Sequence, residues 1–204
     1  DVFTGLVDNV GMVERVTRTA AGRRLRIACR YDDLAEGESV AVNGACLTVV
    51  AHGARWFEVA AVETTLGRTT IDAWPEGHRV NLERAMRADA RFGGHLVLGH
   101  VDGVGRVEQV SRRGDATIID VSVDAELAEL MVPHGSLTVD GVSLTVNELP
   151  TATLVQVSLI EHTLRHTTLG SLAVGDRVHI EADIIGKYVR RLLEAQAEFR
   201  LPRP

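Results

Sequence analysis

GLVDNVGMVE at residues 5–14 returns as GHVDGVGRVE at residues 99–108, with seven of the ten positions identical. A second block, SVAVNGACLTV at residues 39–49, matches SLTVDGVSLTV at residues 136–146. Shorter matches pair Thr65 with Thr163 and Glu83 with Glu181, in the same order along the chain. Collinear blocks at a nearly constant offset indicate that a unit of about half the chain has been duplicated.

Each unit has the pattern of a small β-rich domain. Period-two segments occur at residues 25–29 (LRIAC) and 39–42 (SVAV), and Gly, Asn and Asp turns separate such segments at short intervals. The sequence therefore predicts a mainly β protein with two tandem antiparallel barrels. We place the first barrel at residues 1–90, the second at residues 91–184, and a C-terminal helix at residues 185–204.

Helical segments are predicted at three places. Short helices are expected near Leu82–Arg87 and at Ala125–Met131, before Pro133. After the second unit, apolar residues follow the i, i+3, i+4, i+7, i+8 spacing of an amphipathic helix. These residues are Ile185, Tyr188, Val189, Leu192 and Leu193. Because a terminal apolar stripe has to be covered, we expect self-association through this helix.

The charge pattern limits the partners of the protein. The formal net charge is −6, and the Arg residues are scattered among acidic residues, which argues against nucleic acid as a partner. No apolar stretch approaches the length of a membrane span, and the N-terminus lacks the basic and apolar pattern of a signal peptide. We therefore expect a soluble, cytoplasmic protein with no membrane partner.

Neither the cysteines nor the histidines predict a metal site. Cys29 and Cys46 lack the CxxC spacing of zinc and redox sites, so both thiols are expected to be free. His95, His100 and Asp102 could be considered as ligands. We expect no metal there, because His95 and His100, five positions apart on a strand, would point to opposite faces.

Positions that differ between the copies are the first candidates for chemistry, because folding alone requires no asymmetry between duplicated units. His100 lies where the first copy has Leu6, and it could act as an acid or base or be an ordinary surface histidine. The other differences are Cys46 against Ser143, Asp183 against Ala85, and Phe3 against Val97. Cys46 could be a nucleophile, a weak hydrogen-bonding group or an inert buried thiol. If they have no chemical role, Asp183 would be a helix cap or a solvated charge, and Phe3 would pack the chain end against its own core.

Hydroxyl side chains recur in both copies. The pairs include Ser39 with Ser136, Thr48 with Thr145, and Thr65 with Thr163. A single strand Thr is more often only a β-former. Their joint recurrence favours a polar ligand bound once in each barrel.

Six motifs together resemble the riboflavin synthase family. They are FTGLV (3–7), NGACLTV (43–49), VNLERA (80–85), GGHLVLGHVDG (93–103), DGVSLTV (140–146) and DIIGKYV (183–189). The resemblance covers nearly the whole chain. It implies two six-stranded antiparallel Greek-key β-barrels and a homotrimer held by the C-terminal helices. It also implies an active site between the N-terminal barrel of one subunit and the C-terminal barrel of the next.

The resemblance implies a reaction as well. The family dismutates two molecules of 6,7-dimethyl-8-ribityllumazine, moving a four-carbon unit to give riboflavin and 5-amino-6-(D-ribitylamino)uracil, with no metal or organic cofactor. Two identical substrates account for two similar barrels. Their different fates as donor and acceptor account for the differences between the barrels.

By the same resemblance, the chain carries a catalytic set and a larger substrate-binding set. The catalytic positions are Phe3, Ser39, Cys46, His100, Thr145 and Asp183. The binding positions are Gly5, Leu6, Val7, Cys46, Leu47, Thr48, Thr64, Thr65, Gly99, His100, Val101, His134, Ser143, Leu144, Thr145, Ile160, His162 and Thr163. We expect His100 to manage protons, and Ser39 or Cys46 to assist an addition directly or by orienting water.

Four positions depart from the usual family pattern. Leu98 replaces a Ser, His134 a Lys, Thr64 a Glu and Glu161 a Pro. Altered charge and hydrogen bonding leave two alternatives open, a non-catalytic lumazine or flavin carrier and a diverged enzyme acting on a related pteridine. Because such carriers typically lose the motif that holds His95 and His100, and this chain keeps both, the enzyme is favoured.

Overall fold

A computed structural model describes residues 2–200 as two barrels followed by one long helix. Asp1 and residues 201–204, which belong to the predicted first and last segments, lie outside the described residues. The strands of the first barrel are β1 (Asn9–Thr19), β2 (Gly22–Ala28), β3 (Ser39–Val42), β4 (Ala45–Gly53), β5 (Trp56–Val62) and β6 (Arg79–Arg84). Those of the second are β7 (Gly103–Arg113), β8 (Ala116–Ser122), β9 (Ser136–Val139), β10 (Val142–Thr151), β11 (Leu154–Leu159) and β12 (Arg177–Ala182).

Both barrels have the same topology. The first closes in the order β1-β2-β5-β4-β3-β6 and the second in the equivalent order β7-β8-β11-β10-β9-β12, with every paired strand antiparallel. Strands β3, β4 and β5 are consecutive neighbours, and β2 returns beside β5, which is a Greek key. The predicted pair of six-stranded antiparallel barrels is confirmed.

Alternation along the strands builds one apolar core in each barrel. In β2 and β5, Leu25, Ile27 and Phe57 are completely buried, while their sequence neighbours are more accessible. Leu137 and Ile180 occupy the corresponding interior of the second barrel. Successive side chains of a strand point to opposite faces, so a period of two places every second residue inside a closed barrel.

The two barrels meet at a pair of equivalent turns. Gly44, between β3 and β4, and Gly141, between β9 and β10, have positive φ angles of 78° and 76°. A Cβ atom on Gly44 would lie 2.8 Å from the backbone N of Gly141, and one on Gly141 would lie 2.6 Å from that of Gly44. These glycines are therefore needed both for the turn and for the close approach of the barrels.

Hydrogen bonds across this contact follow an approximate two-fold relation. Asn81 of β6 donates from Nδ2 to the Asp140 carbonyl (2.9 Å) and accepts from the Thr168 N–H (2.8 Å). His179, at the equivalent place in β12, donates from Nδ1 to the Asn43 carbonyl (2.8 Å) and accepts at Nε2 from the Thr70 N–H (2.8 Å). Burial lowers the pKa of His179 to about 4, so the ring stays neutral and can both donate and accept.

Short helices fill the connections. Helices α1 (Glu63–Leu66) and α3 (Glu161–His166) follow β5 and β11, and α2 (Ala125–Ala128) lies within the predicted segment Ala125–Met131. The helix expected near Leu82–Arg87 is wrong. Its first three residues belong to β6, which pairs with β1 on one side and β3 on the other to close the first barrel.

The predicted C-terminal helix is present as α4 (Ile184–Arg200). Its apolar stripe stays uncovered within one chain, with Tyr188 67 % and Leu192 64 % exposed. Among the residues that the structure describes, no helix is both long and apolar enough to cross a membrane.

Candidate functional site

Each barrel is contacted by the segment that leads into the other barrel. Residues 3–7 lead into the first barrel, yet the Gly5 carbonyl accepts a hydrogen bond from Ser143 N–H of the second (2.8 Å). Residues 97–101 lead into the second barrel, yet the Gly99 carbonyl accepts from Cys46 N–H of the first (2.9 Å). We call residues 3–7 and 97–101 the leader segments. They also pair with each other through an antiparallel bridge between Phe3 and Val97.

Glycine is required where each leader touches the opposite barrel. Gly5 and Gly99 have φ angles of 75° and 73°. A Cβ atom on Gly5 would lie 2.6 Å from Ser143 Cβ, and one on Gly99 would lie 2.5 Å from Cys46 Cβ. The repeated Gly-x-Val motif thus fixes Gly5 and Gly99 against opposite barrels. Residue x is the exposed Leu6 in the first leader. In the second leader it is the exposed His100, which lies beside the first barrel.

The first barrel and the second leader enclose an open cavity of about 400 Å³, which we call the N-barrel cavity. Its volume lies within the range typical of small-molecule sites. It is lined by Ala45, Cys46, Thr64, Thr65, Arg68, Thr69, Gly99, His100 and Val101. Six of these nine residues were predicted as binding positions, and the structure brings those six together although they come from both repeats.

The N-barrel cavity combines an imidazole, a thiol and hydroxyl groups. His100 is exposed and lines it, so the ring can exchange protons with a bound ligand, and the half-buried Cys46, which packs against Gly99, lines it as well. Thr69 Oγ1 donates to the Thr65 carbonyl (2.7 Å), which fixes the cavity wall after α1. The Arg68 guanidinium adds a cation that suits a polar or anionic group.

The second barrel places different residues at the equivalent positions. Ser143 replaces Cys46, and its Oγ is 2.8 Å from Nδ1 of the buried His95. Burial lowers the pKa of His95, while the nearby Asp183 carboxylate opposes that shift. On α3, the rings of His162 and His166 stack with their centroids 4.1 Å apart. Thr167 Oγ1 donates to the Thr163 carbonyl (2.7 Å), as Thr69 does to Thr65 in the first barrel.

The expectation that His95 and His100 lie on opposite faces of one strand is wrong. Both fall in the irregular segment before β7, and they contact different barrels. In the described part of the chain, no three His, Cys, Asp or Glu side chains are grouped so that they could hold a metal ion.

The remaining predicted catalytic residues lie outside the N-barrel cavity. Phe3 is completely buried, where it packs with Ala41 and Val97. Ser39 is buried in β3 opposite Thr48. Thr145 is exposed on β10. Asp183 accepts from Ile185 N–H (3.0 Å) and so caps the start of α4.

The other predicted binding residues fall into three groups. Gly5, Leu6 and Val7 lie on the first leader, and Ser143 and Leu144 lie on β10 of the second barrel near it. Ile160, His162 and Thr163 lie at the end of β11 and on α3. Leu47 is buried in the first core, and Thr48 is exposed on β4. His134, with a φ angle of 65°, lies in the turn before β9, where its N–H donates to the Val146 carbonyl (2.8 Å).

Two residues were missed by reasoning from the sequence. Arg68 corresponds to His166 in the other copy, so the comparison of repeats that singled out His100 could have found it. In the sequence, Glu181 stands out only as the match of Glu83. Its burial against the second leader, through a hydrogen bond from Leu98 N–H (2.8 Å), is visible only in three dimensions.

Comparison with known proteins bears on this geometry. The lumazine binding domain family matches residues 4–85 and 98–183, one match for each barrel. The chain is 40 % identical to riboflavin synthase of Bacillus subtilis (strain 168), over 97 % of this chain and 92 % of that protein. It is 42 % identical to riboflavin synthase of Brucella abortus (strain 2308), over 96 % of this chain and all of that protein.

Solved structures share the fold at lower identity. The crystal structure of LumP complexed with riboflavin superposes with a TM-score of 0.80 at 22 % identity, over 88 % of this chain and 98 % of that one. LumP complexed with 6,7-dimethyl-8-(1'-D-ribityl) lumazine gives a TM-score of 0.75 at 21 % identity, with the same coverage. At this level of identity, the likeness concerns the fold.

Proposed function

The chain belongs to the riboflavin synthases of the lumazine binding domain family, enzymes of the transferase class, and from this premise we propose a specific reaction. Two molecules of 6,7-dimethyl-8-ribityllumazine are converted into one riboflavin and one 5-amino-6-(D-ribitylamino)uracil. One lumazine gives up a four-carbon unit and the other receives it, so the reaction balances without an external oxidant, metal or organic cofactor.

The observation that carries this proposal is the delivery of His100 to the first barrel. The second leader brings an exposed imidazole beside Cys46, Thr64 and Thr65, in a cavity of a size suited to one ring system. The equivalent position of the first leader, which contacts the second barrel through Gly5, carries Leu6, and this side chain cannot titrate. The two barrels therefore offer one substrate site with a proton-transfer group from the leader and one without it.

We assign the chemical roles accordingly. His100 removes a proton from the acidic 7-methyl group of one lumazine or returns one later in the reaction. Cys46 or Ser39 assists the addition to the neighbouring ring carbon of the other lumazine, directly or by orienting water. Of these two, Cys46 is better supported because it lines the N-barrel cavity, whereas Ser39 is buried in β3. Holding the two rings face to face supplies a further part of the rate.

Residues 1–90 and 91–184 each bind one substrate in this proposal, and residues 185–204 assemble the subunits. The uncovered apolar stripe of α4 supports a homotrimer, in which the first barrel of one subunit faces the second barrel of the next. Multi-angle light scattering on Leu192→Glu, which places a charge in the stripe, tests this assembly. We expect the Leu192→Glu protein to dissociate into single subunits, whereas Arg191→Ala, the control on the same helix, should not. A wild-type protein that is a monomer would contradict an active site formed between two subunits.

The reaction itself is tested by mixing the purified protein with 6,7-dimethyl-8-ribityllumazine alone and following the products by absorbance and chromatography. We expect one riboflavin for every two lumazines consumed. Tight binding without any product would instead identify a chromophore carrier with the fold of LumP. Product from a related pteridine only would identify a diverged enzyme, for which the departures Leu98 and Thr64 would be the first residues to revert.

A further inference from the structure

A second cavity lies where the two barrels meet, and we call it the junction cavity. Its volume is about 340 Å³, within the range of small-molecule sites. The twelve residues that line it form six equivalent pairs, with one member of each pair from each copy. None of them lines the N-barrel cavity. The junction cavity is therefore a separate space that the two barrels share equally.

One of the six pairs consists of the buried residues Thr70 and Thr168, and the first copy satisfies its hydroxyl group. Thr70 Oγ1 accepts a hydrogen bond from Trp74 Nε1 (3.0 Å) and lies 2.9 Å from His179 Nε2. Because His179 donates from Nδ1, its Nε2 is an acceptor, and the Thr70 hydroxyl donates to it. This hydroxyl group therefore both donates and accepts inside the protein.

The second copy replaces both of these partners. Leu172 stands where the first copy has Trp74, and its side chain has no donor. Asn81, the counterpart of His179, accepts at Oδ1 from the Thr168 N–H (2.8 Å) and not from the hydroxyl. Thr168 is only 8 % exposed, yet its Oγ1 has no hydrogen-bond partner among the described residues. Since an unbonded buried hydroxyl is costly, a polar molecule in the cavity would supply what the chain lacks.

A second pair adds an unbonded donor and an unbonded acceptor. Asn43 and Asp140, which are 4 % and 5 % exposed, line the cavity at the equivalent turns between strands. Each uses its Oδ1 atom to accept from a backbone N–H, that of Asn81 (2.7 Å) and that of His179 (2.8 Å) respectively. Asn43 Nδ2 and Asp140 Oδ2 form no hydrogen bond within the part of the chain that the structure describes. A ligand with hydroxyl groups can satisfy both atoms, because a hydroxyl donates and accepts.

Two exposed arginines also line the junction cavity. Arg79 and Arg177 are the first residues of β6 and β12, so the duplication places one guanidinium from each barrel at this cavity. Neither of them forms a salt bridge with any described residue. A guanidinium binds phosphate oxygens through parallel N–H donors. Two such groups at one cavity suit a doubly charged phosphate group.

The other titratable groups at the cavity leave this positive character in place. Burial lowers the pKa of His78, whose ring stacks on Trp74 with the centroids 5.0 Å apart, so this imidazole is neutral at pH 7. Burial raises the pKa of Asp140 to about 7, so its carboxyl group is only partly ionised. Asp176 is exposed, and its Oδ2 accepts from the Ala173 N–H (2.8 Å). The two guanidinium groups thus outweigh the two carboxyl groups at neutral pH.

We infer that the junction cavity binds a phosphorylated polyol, such as a sugar phosphate, at a site separate from the substrate cavity. The phosphate group is held by Arg79 and Arg177, and the hydroxyl groups bond to Thr168, Asn43 and Asp140. The carboxyl groups that oppose a bare phosphate accept hydrogen bonds from the polyol, so both parts of the ligand contribute to affinity. The inference does not depend on the proposed reaction, because no residue of the N-barrel cavity takes part.

Isothermal titration calorimetry on the full-length protein tests this site with glycerol 3-phosphate, ribose 5-phosphate and glucose 6-phosphate. We expect at least one ester to bind with a Kd of about 1 mM or lower, roughly tenfold more tightly than inorganic phosphate or its own parent polyol. Saturating riboflavin, a probe for the N-barrel cavity, should leave that Kd unchanged. Failure of all three esters to bind would overturn the inference. Equal binding of inorganic phosphate, or competition by riboflavin, would overturn it as well.

Thr168→Val tests the polyol end of the site, with Thr70→Val as the matched control in the other copy. Thr168→Val removes a hydroxyl that has no partner, so the Tm of the free protein should not fall, while the Kd of the best ester should rise about three- to tenfold. Thr70→Val breaks the hydrogen bonds to Trp74 and His179, so its Tm should fall. An unchanged Kd in Thr168→Val would contradict the proposed site.

Arg79→Gln and Arg177→Gln test the phosphate end. Each variant should raise the Kd of the ester about tenfold, as expected for the loss of one charge-assisted contact, and should leave binding of the parent polyol unchanged. Arg113→Gln is the control, because Arg113 is an exposed arginine at the end of β7 outside the junction cavity. The same loss in Arg113→Gln would show that only the overall charge matters, and this result would also overturn the inference.

Discussion

The two barrels share their strand order and their contact turns, and they differ where each contacts the leader of the other. The first barrel has Cys46 and contacts the leader that carries His100, whereas the second has Ser143 and contacts the leader that carries Leu6. The glycine that touches the opposite barrel is common to both, and so is the glutamate beneath it. The framework has thus been kept in both copies, while the side chains that it presents to a ligand have changed.

The difference between the barrels gives a physical reason why each leader contacts the barrel of the other repeat. A leader that packed only on its own barrel would leave each repeat self-sufficient. Because each leader also packs on the other barrel, the side chain of residue 100 belongs to the second repeat in sequence and to the first barrel in space. Variation in one repeat therefore alters the site of the other.

Removing the imidazole should have the largest effect. We expect His100→Ala to lower kcat about 10²- to 10⁴-fold, the usual loss of a general acid or base, while substrate binding persists. Steady-state kinetics and equilibrium binding measure the two effects. His52→Ala is the control, since His52 is an exposed histidine of β4 outside the N-barrel cavity. Turnover at the wild-type rate in His100→Ala would contradict the proton-transfer role assigned to His100.

Breaking the contact between leader and barrel should be next in size. Gly99→Ala brings Cβ within 2.5 Å of Cys46 Cβ and 2.9 Å of Cys46 N at a positive φ angle, so we expect a loss of ~1–3 kcal/mol in the free energy of unfolding. Denaturant unfolding measures that loss. Gly5→Ala should be destabilised to a similar extent, because its contact with Ser143 is equally close. Unequal losses would show that the two leaders are not equivalent in energy.

Exchanging the residues that differ beneath the leaders sharpens the comparison. Cys46→Ser gives the first barrel the side chain that the second already has. If the thiol assists the addition, kcat should fall about tenfold, as expected for ~1.4 kcal/mol of lost transition-state stabilisation, while riboflavin affinity changes less. Ser143→Cys is the reciprocal variant, and it should leave the addition step unchanged. Full turnover in Cys46→Ser would leave orientation of water as the role of this position.

The contact between the barrels should give the smallest effect. His179→Asn places at the second copy the residue that the first copy has in Asn81, so we expect a loss of about 1 kcal/mol at neutral pH. Burial lowers the pKa of His179 from 6.5 to about 4, so between those values the unfolded chain takes up a proton and the folded one does not. The histidine contribution to stability is thus present above pH 6.5 and is lost as the pH falls toward 4.

The difference in stability between wild type and His179→Asn should accordingly shrink as the pH falls from 6.5 and change sign before pH 4.5, because each pH unit costs the wild type up to about 1.4 kcal/mol. Unfolding midpoints of both proteins at pH 7 and pH 4.5 measure it. Comparing the two proteins removes the opposite contribution of Asp140, whose pKa burial raises to about 7 and which both proteins contain. A constant difference at the two pH values would mean that His179 is protonated in the folded protein.

Sequence reasoning found the features that repeat locally. The duplicated blocks, the alternation in segments such as residues 25–29 and the helical stripe after Asp183 are periodic patterns, and each corresponds to an observed element. The helix near Leu82–Arg87 was wrong because its composition suits a short helix, whereas the closing of the barrel requires a strand paired on both sides. Tertiary pairing overrides a weak local preference.

The site could be predicted only in part, because it depends on which barrel each leader contacts. Nothing in residues 97–101 indicates that they pack on the first barrel as well as on their own. For the same reason His95 and His100, treated together in the sequence, lie at different barrels in the fold. The glutamates under the two leaders, Glu83 and Glu181, repeat visibly, but the leader groups that donate to each carboxylate are known only from the fold.

The most direct test of the account is the exchange of the 7-methyl protons of 6,7-dimethyl-8-ribityllumazine with deuterium in D₂O, followed by proton NMR. We predict that the wild-type protein accelerates this exchange and that His100→Ala binds the lumazine without accelerating it. Exchange at the wild-type rate in His100→Ala would contradict the claim that the second leader delivers the proton-transfer group to the first barrel.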